Sequence, residues 1–290
     1  MSEKTFKIPA TSANLGLGFD SIGVAVDKFL TVTARPADDW QFHFKKKSLE
    51  VLPSGEKNMV VEMAQYVAKE YGKEMPRLEI DMDSEIPLAH GLGSSSSALV
   101  AGIELANHYL DLNLSTDDKV RIGTAVEKHP DNIGPCLTGG VFVGFYEEEK
   151  MAYYTMRLEG ISLIVSVPSY EIMTEEARAA LPESYNRQTA VSQNAKNNVM
   201  LLAMANQDYT LMGELMMDDQ FHEPYRSPLI AEHKEIKDIT LKNGAYATVI
   251  SGAGPTLLTL CPEEKADQIL EQLSQVSSCS HEQVNVFYKD

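Results

Sequence analysis

The sequence predicts an α+β fold. Segments with strand character and segments with helical spacing interleave along the 290 residues, but not in the strict β-α-β-α order of a doubly wound parallel sheet. A hydrophobic content of 43% with 23% charged residues supplies a globular core. The length suits two domains or one large one, and the chain has no low-complexity linker, which leaves a soft boundary near residues 150–165.

The elements follow in order. FLTVTARP (29–36) and WQFHF (40–44) combine β-branched and aromatic residues between Pro and Asp, which predicts strands. Met59, Met63, Val67 and Tyr71 recur at near-helical spacing, and Gly72 suits the end of a helix over 58–71. Leu78, Ile80 and Met82 alternate, as in a half-buried strand over 77–83. After a Gly/Ser stretch, Leu99, Ile103, Ala106 and Leu110 mark one face of a helix. LSTDDKV (114–120) opens another with a Ser/Thr cap and acids in its first turn. The second half predicts strands at 140–146, 152–158 and 161–167 and helices near 174–181, 189–206, 208–218 and 229–242. A strand, Gly-rich turn and strand span 245–260, and a helix at 263–275 and a strand at 283–288 close the chain.

Forty-two acids against 25 bases give a net charge of -17, which argues against a nucleic-acid partner or an anionic membrane surface. Small anionic ligands remain open, because they need only a local positive site. Cys136, Cys261 and Cys279 form no close-spaced pair, consistent with a reducing compartment, and no zinc spacing occurs. The N-terminus lacks a signal-peptide core, and no apolar run reaches about 18 residues, so a cytoplasmic protein is expected.

Four stretches can carry chemistry. In PLAHGLGSSSS (87–97), Gly91 and Gly93 permit a tight turn, and the serines open a helix whose dipole favours an anion. No Gly-Lys-Ser/Thr closes a Walker loop, and Ser96 occupies the third glycine position of GxGxxG. Alone, the stretch reads equally well as a helix cap or a phosphate cradle. PATSANLGLGFDSIG (9–23) carries Asn14 and Asp20 among three glycines. SGAGPT (251–256) is most simply a hairpin turn. VEKHPDNIGP (126–135) gathers Glu127, His129, Asp131 and Asn132; HPDN makes a good turn and helix cap, while Glu127 suits Mg²⁺ beside phosphate oxygens. Arg178 and Arg226 stand alone, as solvated surface residues or as bidentate partners for a substrate carboxylate.

Taken together and in this order, PATSANLGLGFDSIG, GLGSSSSA, HPDNIGP and ISGAGPT resemble the GHMP kinase superfamily, and within it the homoserine kinase family, over residues 9–256. The resemblance implies a two-domain α+β fold: a ribosomal protein S5 domain 2-like, ATP-binding domain at 1–155 and a ferredoxin-like domain at 156–290. It implies phosphorylation of the L-homoserine side-chain hydroxyl by ATP, on the route to threonine, by a cytoplasmic homodimer. The ATP phosphate loop corresponds to Pro87, Leu88, Ala89, His90, Gly91, Leu92, Gly93, Ser94, Ser95, Ser96 and Ser97. Ser95 and Glu127 match the Mg²⁺ ligands. Asn14, Asp20, His129, Asn132, Arg178 and Arg226 match the homoserine-binding residues, and the catalytic set is Asp20 at the reacting hydroxyl, Asn132, and Thr174 near the transferred phosphate. Asparagine at 132 fills the region where several relatives use an aspartate base, so no dedicated general base is expected, and Asp20 is the nearest candidate. Lys128 stands where glycine is frequent. The first motif and the two arginines favour an amino-acid substrate over mevalonate, a diphosphocytidyl sugar alcohol or shikimate.

Overall fold

The computed structural model describes residues 2–148 and 150–289. Its first sheet contains β1 (Lys4–Ala13), β2 (Ile22–Pro36), β3 (Gln41–Phe44), β4 (Leu78–Ser84), β5 (Val141–Glu147) and β6 (Lys150–Met156). The order is β3-β4-β2-β5-β6 with β1 also on β2; only the β3–β4 pairing is parallel. Four helices accompany it: α1 (Met59–Glu70), α2 (Ser94–Tyr109), α3 (Thr116–Glu127) and α4 (Ile133–Thr138).

Local chemistry sets their ends. Asn58 caps α1 by accepting from Val60 N at 3.0 Å, and α1 buries Val60, Val61, Met63, Ala64, Val67 and Ala68. Gly102 lets α2 lie close against α1, because a Cβ there would stand 2.5 Å from the Val60 carbonyl oxygen. Ser115 and Asp118 form a reciprocal capping box on α3.

The second sheet contains β7 (Ile161–Pro168), β8 (Ala247–Ile250), β9 (Leu257–Pro262) and β10 (Cys279–Val284) in the order β10-β7-β9-β8, all antiparallel. Between β7 and β8 run α5 (Thr174–Ala179), α6 (Arg187–Ala205), α7 (Tyr209–Met216), α8 (Glu223–Arg226) and α9 (His233–Lys242), and α10 (Ala266–Leu273) links β9 to β10. This is the β-α-β-β-α-β order of a ferredoxin-like layer. One buried core joins the two sheets, including Val24, Phe142, Leu163, Met200 and Leu260, and a second lies under α9 and α10 around Ile164, Ile236, Leu257 and Ile269. Among the described residues, no helix is long and apolar enough to cross a membrane.

Three expectations shift. Strand β2 begins at Ile22, seven residues before 29, because its first half pairs with β1 and β5 as a buried centre rather than as an alternating edge. The last strand is Cys279–Val284, not 283–288. Val284 ends β10 opposite Leu163, and the tail beyond it crosses to the first half, where Val286 bridges Val26 of β2 and Tyr288 bridges Gly139 after α4. The helix expected over 229–242 starts at His233, and the short α8 precedes it with a 3₁₀ turn at Ser227–Leu229.

Candidate active site

A cavity of about 740 Å³ opens between the two halves, reached by loops from both. Its floor is the start of α2. Gly93 takes a left-handed φ of 70°, and the first backbone bond of the helix runs from Ser97 N to Gly93 O at 2.8 Å. The amides of Ser94, Ser95 and Ser96 therefore precede intrahelical pairing, and with the helix dipole they make an anion seat. A Cβ at Gly93 would fall 2.0 Å from Thr11 Oγ1, so only glycine fits.

The SGAGPT segment is both a hairpin turn and part of the site. It joins β8 to β9, and Ser251 Oγ donates to Gly91 O at 2.7 Å. Gly252 N donates to Ala13 O at 3.1 Å. The loop after β1 folds onto it: Asn14, at φ 75°, donates from Nδ2 to Gly252 O at 3.0 Å and accepts from Asp20 N at 3.1 Å. Asn14 is buried, and its contacts hold Asp20, itself at φ 54°, at the cavity edge.

Arg178, one turn into α5, donates to Asp20 Oδ1 at 3.2 Å. Arg226, on α8, is 3% exposed; its Nη1 donates to Gly252 O at 2.9 Å and its Nε to Ala177 O at 3.2 Å. Burial, with Arg178 close by, lowers its pKa: two guanidinium groups are held near one another and favour an anion between them. Thr174 begins α5 on the same wall.

The turn after α3 supplies the remaining charges. Lys128, at φ 76°, ends the helix and throws Glu127 and His129 into the cavity. His129 Nδ1 lies 2.6 Å from Asp131 Oδ1. Burial opposes the charge on His129, but Asp131, with Asp20 and Glu127 nearby, outweighs it and raises the pKa. Asn132 Oδ1 accepts from Thr11 Oγ1 at 2.8 Å, and among the described residues its amide nitrogen makes no hydrogen bond. Burial pushes the Glu127 carboxyl up to about 7 against the Ser96 hydrogen bond; Oε1 accepts from Ser96 Oγ at 2.7 Å, while Oε2 is buried without a partner.

Most residues singled out from the sequence line this cavity: Asn14, Asp20, Leu88, Ala89, His90, Gly91, Gly93, Ser94, Ser95, Ser96, Glu127, His129, Asn132, Thr174, Arg178 and Arg226. Pro87, Leu92 and Ser97 do not; Leu92 is core, and Ser97 Oγ turns inward to Pro9 O and Gly93 O. The loop serine touching Glu127 is Ser96, whereas Ser95 Oγ donates to Met59 Sδ at 3.3 Å. Asp131 joins Asp20 and His129 in one cluster, and its sequence signal was the HPDN turn itself. The apolar end, lined by Leu49, Leu52, Pro53, Met59 and Met82, had no motif to reveal it.

The GHMP kinases N terminal domain model matches residues 58–140, and the GHMP kinases C terminal model matches 200–278. A homoserine kinase of Staphylococcus aureus is 44% identical over 284 residues, covering 96% of this chain and 93% of its own. Among solved structures, a putative homoserine kinase from Listeria monocytogenes matches with a TM-score of 0.85 and 34% identity, over 98% of this chain and 96% of that one. A homoserine kinase from Cytophaga hutchinsonii matches with a TM-score of 0.88 and 27% identity, over 100% and 96%. On this identity, held over nearly the whole chain, the protein belongs to the homoserine kinase family of the GHMP kinases.

Proposed function

We propose that Arg178 and Arg226 hold the carboxylate of L-homoserine while the 87–97 loop holds ATP, so that the γ-phosphoryl group passes to the side-chain hydroxyl and O-phospho-L-homoserine leaves, a step of threonine biosynthesis. The observation that carries this reading is the convergence of both arginines beside Asp20 in the cavity that opens onto the start of α2. A fork of two guanidinium groups suits a carboxylate and has no comparable partner on a sugar.

Each residue has a role in this reading. The amides of Ser94 to Ser96 and the α2 dipole meet the phosphates, and the apolar end receives the base. Asn14, Asp20, His129 and Asn132 orient the amino acid, with Asp20 hydrogen-bonded to the reacting hydroxyl and Thr174 beside the phosphoryl group in flight. The transfer needs alignment and charge neutralisation more than proton abstraction, because its transition state is loose. No dedicated general base is invoked.

Magnesium fits the residues present. Glu127 Oε2 is buried and unpartnered, and a carboxyl pushed up to about 7 by burial gains from a nearby cation. Glu127, with Ser95 and Ser96 of the loop, would hold it. When bound, Mg²⁺ neutralises phosphate charge. The reading extends to a cytoplasmic homodimer divided near residue 155, in keeping with three unpaired cysteines and with sheets drawn from either side of residues 156–161.

The test is a kinase assay with Mg-ATP against L-homoserine, mevalonate, shikimate and galactose. Turnover of L-homoserine alone is expected; a folded chain that leaves it unphosphorylated overturns the reading.

A further inference from the structure

Behind the substrate loop lies a buried polar cluster that none of the motifs includes. Asp219 accepts four N–H groups: His222 N and Glu223 N at 2.8 Å, Phe221 N at 3.2 Å and Gln193 Nε2 at 2.5 Å. These bonds fix the start of α8 and place His222, fully buried, one turn before Arg226. His222 Nε2 lies 2.9 Å from Gly16 O and donates to it, since a carbonyl can only accept and Nδ1 has no partner among the described residues. Gly16 sits within Asn14–Gly16, three consecutive left-handed residues at φ 75°, 43° and 74°. Such a run holds only where its surroundings over-determine it.

The same histidine grips the loop a second time. Its ring stacks on Phe19 with centroids 5.4 Å apart and planes 23° apart. The Arg226 guanidinium lies 5.4 Å over that Phe19 ring, and Phe19 directly precedes Asp20. His222, which caps α8, and Arg226, one turn on, therefore both pack on the residue next to Asp20.

We infer that His222 is a positioning residue for the phosphoryl acceptor: through Gly16 and Phe19 it locks the 14–20 loop to α8, so that Asp20 and Arg226 meet the amino-acid substrate as one rigid unit. The inference rests on the proposed homoserine reading and deepens it. It assigns acceptor affinity to a buried side chain that cannot touch the acceptor. Among the described residues, the phosphate loop reaches this unit through Ser251 and Gly252 rather than by a hydrogen bond to Phe19 or His222, so ATP affinity is expected to change less than acceptor affinity.

The experiment compares His222→Leu, His222→Gln and Phe19→Leu with wild type in steady-state kinetics, with thermal unfolding as the control for folding. His222→Leu is expected to raise KM for L-homoserine about 10- to 100-fold, the scale of a small misplacement of binding groups, with KM for ATP within about twofold. Glutamine carries an N–H that reaches Gly16 O and is expected to recover most of the loss. Phe19→Leu, at a half-buried position that tolerates the change, is expected to shift the same KM by a smaller factor and decides the matter if His222→Leu does not fold. An unchanged KM for L-homoserine in the folded variants, or parallel rises in both KM values, overturns the inference. A wild-type chain inert toward L-homoserine removes the functional reading as well, whereas an active wild type with unaffected variants removes this inference alone.

Discussion

In the proposed reading, with the nucleotide at one end of the cavity and the acceptor at the other, the two ends bind anions in opposite ways. At the nucleotide end, residues 87–97 contain no lysine, arginine or carboxylate; the seat is backbone amide, serine hydroxyl and helix dipole, shaped by glycines. At the acceptor end, the seat is side-chain charge: Arg178, Arg226, Asp20, His129 and Asp131. A backbone site tolerates side-chain change but not an added Cβ, and a side-chain site shows the reverse. The charged end also includes the buried Arg226, whose attraction for an anion would be little screened by water.

The largest effect should come from the acceptor end. Removing Arg226 with Arg226→Ala is expected to lower kcat/KM for L-homoserine about 10²- to 10³-fold, or about 3–4 kcal/mol, as befits a truncated buried charge pair. KM for ATP should stay within about threefold. Equal losses for both substrates in steady-state kinetics would break the division between the ends.

Glu127 stands at the junction and responds to pH. Its folded pKa of about 7 lies above the unfolded value of 4.5, so the folded state holds the proton longer. The stability this confers is fully present below pH 4.5 and is lost as pH rises through 7. The swing is about 3 kcal/mol in the ligand-free protein kept metal-free with chelator. Glu127→Gln imitates the protonated form and is expected to remove that slope and to exceed wild type in stability at pH 8. Urea unfolding of both proteins between pH 5 and 8 checks this; parallel curves would show that Glu127 is already compensated.

The nucleotide end is next. A Cβ at Gly93 would meet Thr11 Oγ1 at 2.0 Å, at a φ of 70° that side chains disfavour. Gly93→Ala is expected to raise KM for ATP about 10- to 30-fold, about 1.4–2 kcal/mol, with a smaller rise in the L-homoserine KM because Thr11 also bonds Asn132. Titration with ATP and with L-homoserine separately would sharpen the contrast, and a larger effect on the amino acid would reverse it.

How much of this was legible in the sequence follows the same division. The phosphate loop was readable because its chemistry is local: glycines, hydroxyls and a helix start lie within eleven consecutive residues, 87–97. The acceptor end was readable only as scattered residues, since Asn14, Asp20, Arg178 and Arg226 are joined by contacts up to 238 positions apart. The family resemblance brought them together; the residues alone left each arginine open as a surface residue or a carboxylate partner. Gln193, Asp219 and His222 gave no signal, because a buried cluster that supports another residue follows no local pattern. The apolar end stayed hidden for a related reason: Leu49, Leu52 and Met82 look like any core residues until the cavity is seen. The misplaced last strand shows the same limit, since Val284 ends a strand of the second sheet while Val286 and Tyr288 bridge to the first half.

The smallest effects test how the ends are joined. Asp20→Asn keeps an acceptor oxygen for the reacting hydroxyl but removes the charge paired with Arg178; kcat is expected to fall about tenfold, and a loss of about 10⁴ would identify a true general base. Lys128 lies between Glu127 and His129 with a non-glycine φ of 76°. Left-handed backbone costs a side-chain-bearing residue about 1–2 kcal/mol, and glycine recovers this less about 0.5–1 kcal/mol of unfolded-state entropy. Lys128→Gly is therefore expected to stabilise the protein by under about 1 kcal/mol, a rise of about 2 °C in Tm by calorimetry. If the turn serves only to end α3, kinetics should not move. A gain in Tm accompanied by a fall in kcat would mean that the lysine backbone holds Glu127 and His129 in register, and that the two ends are coupled through this one strained residue.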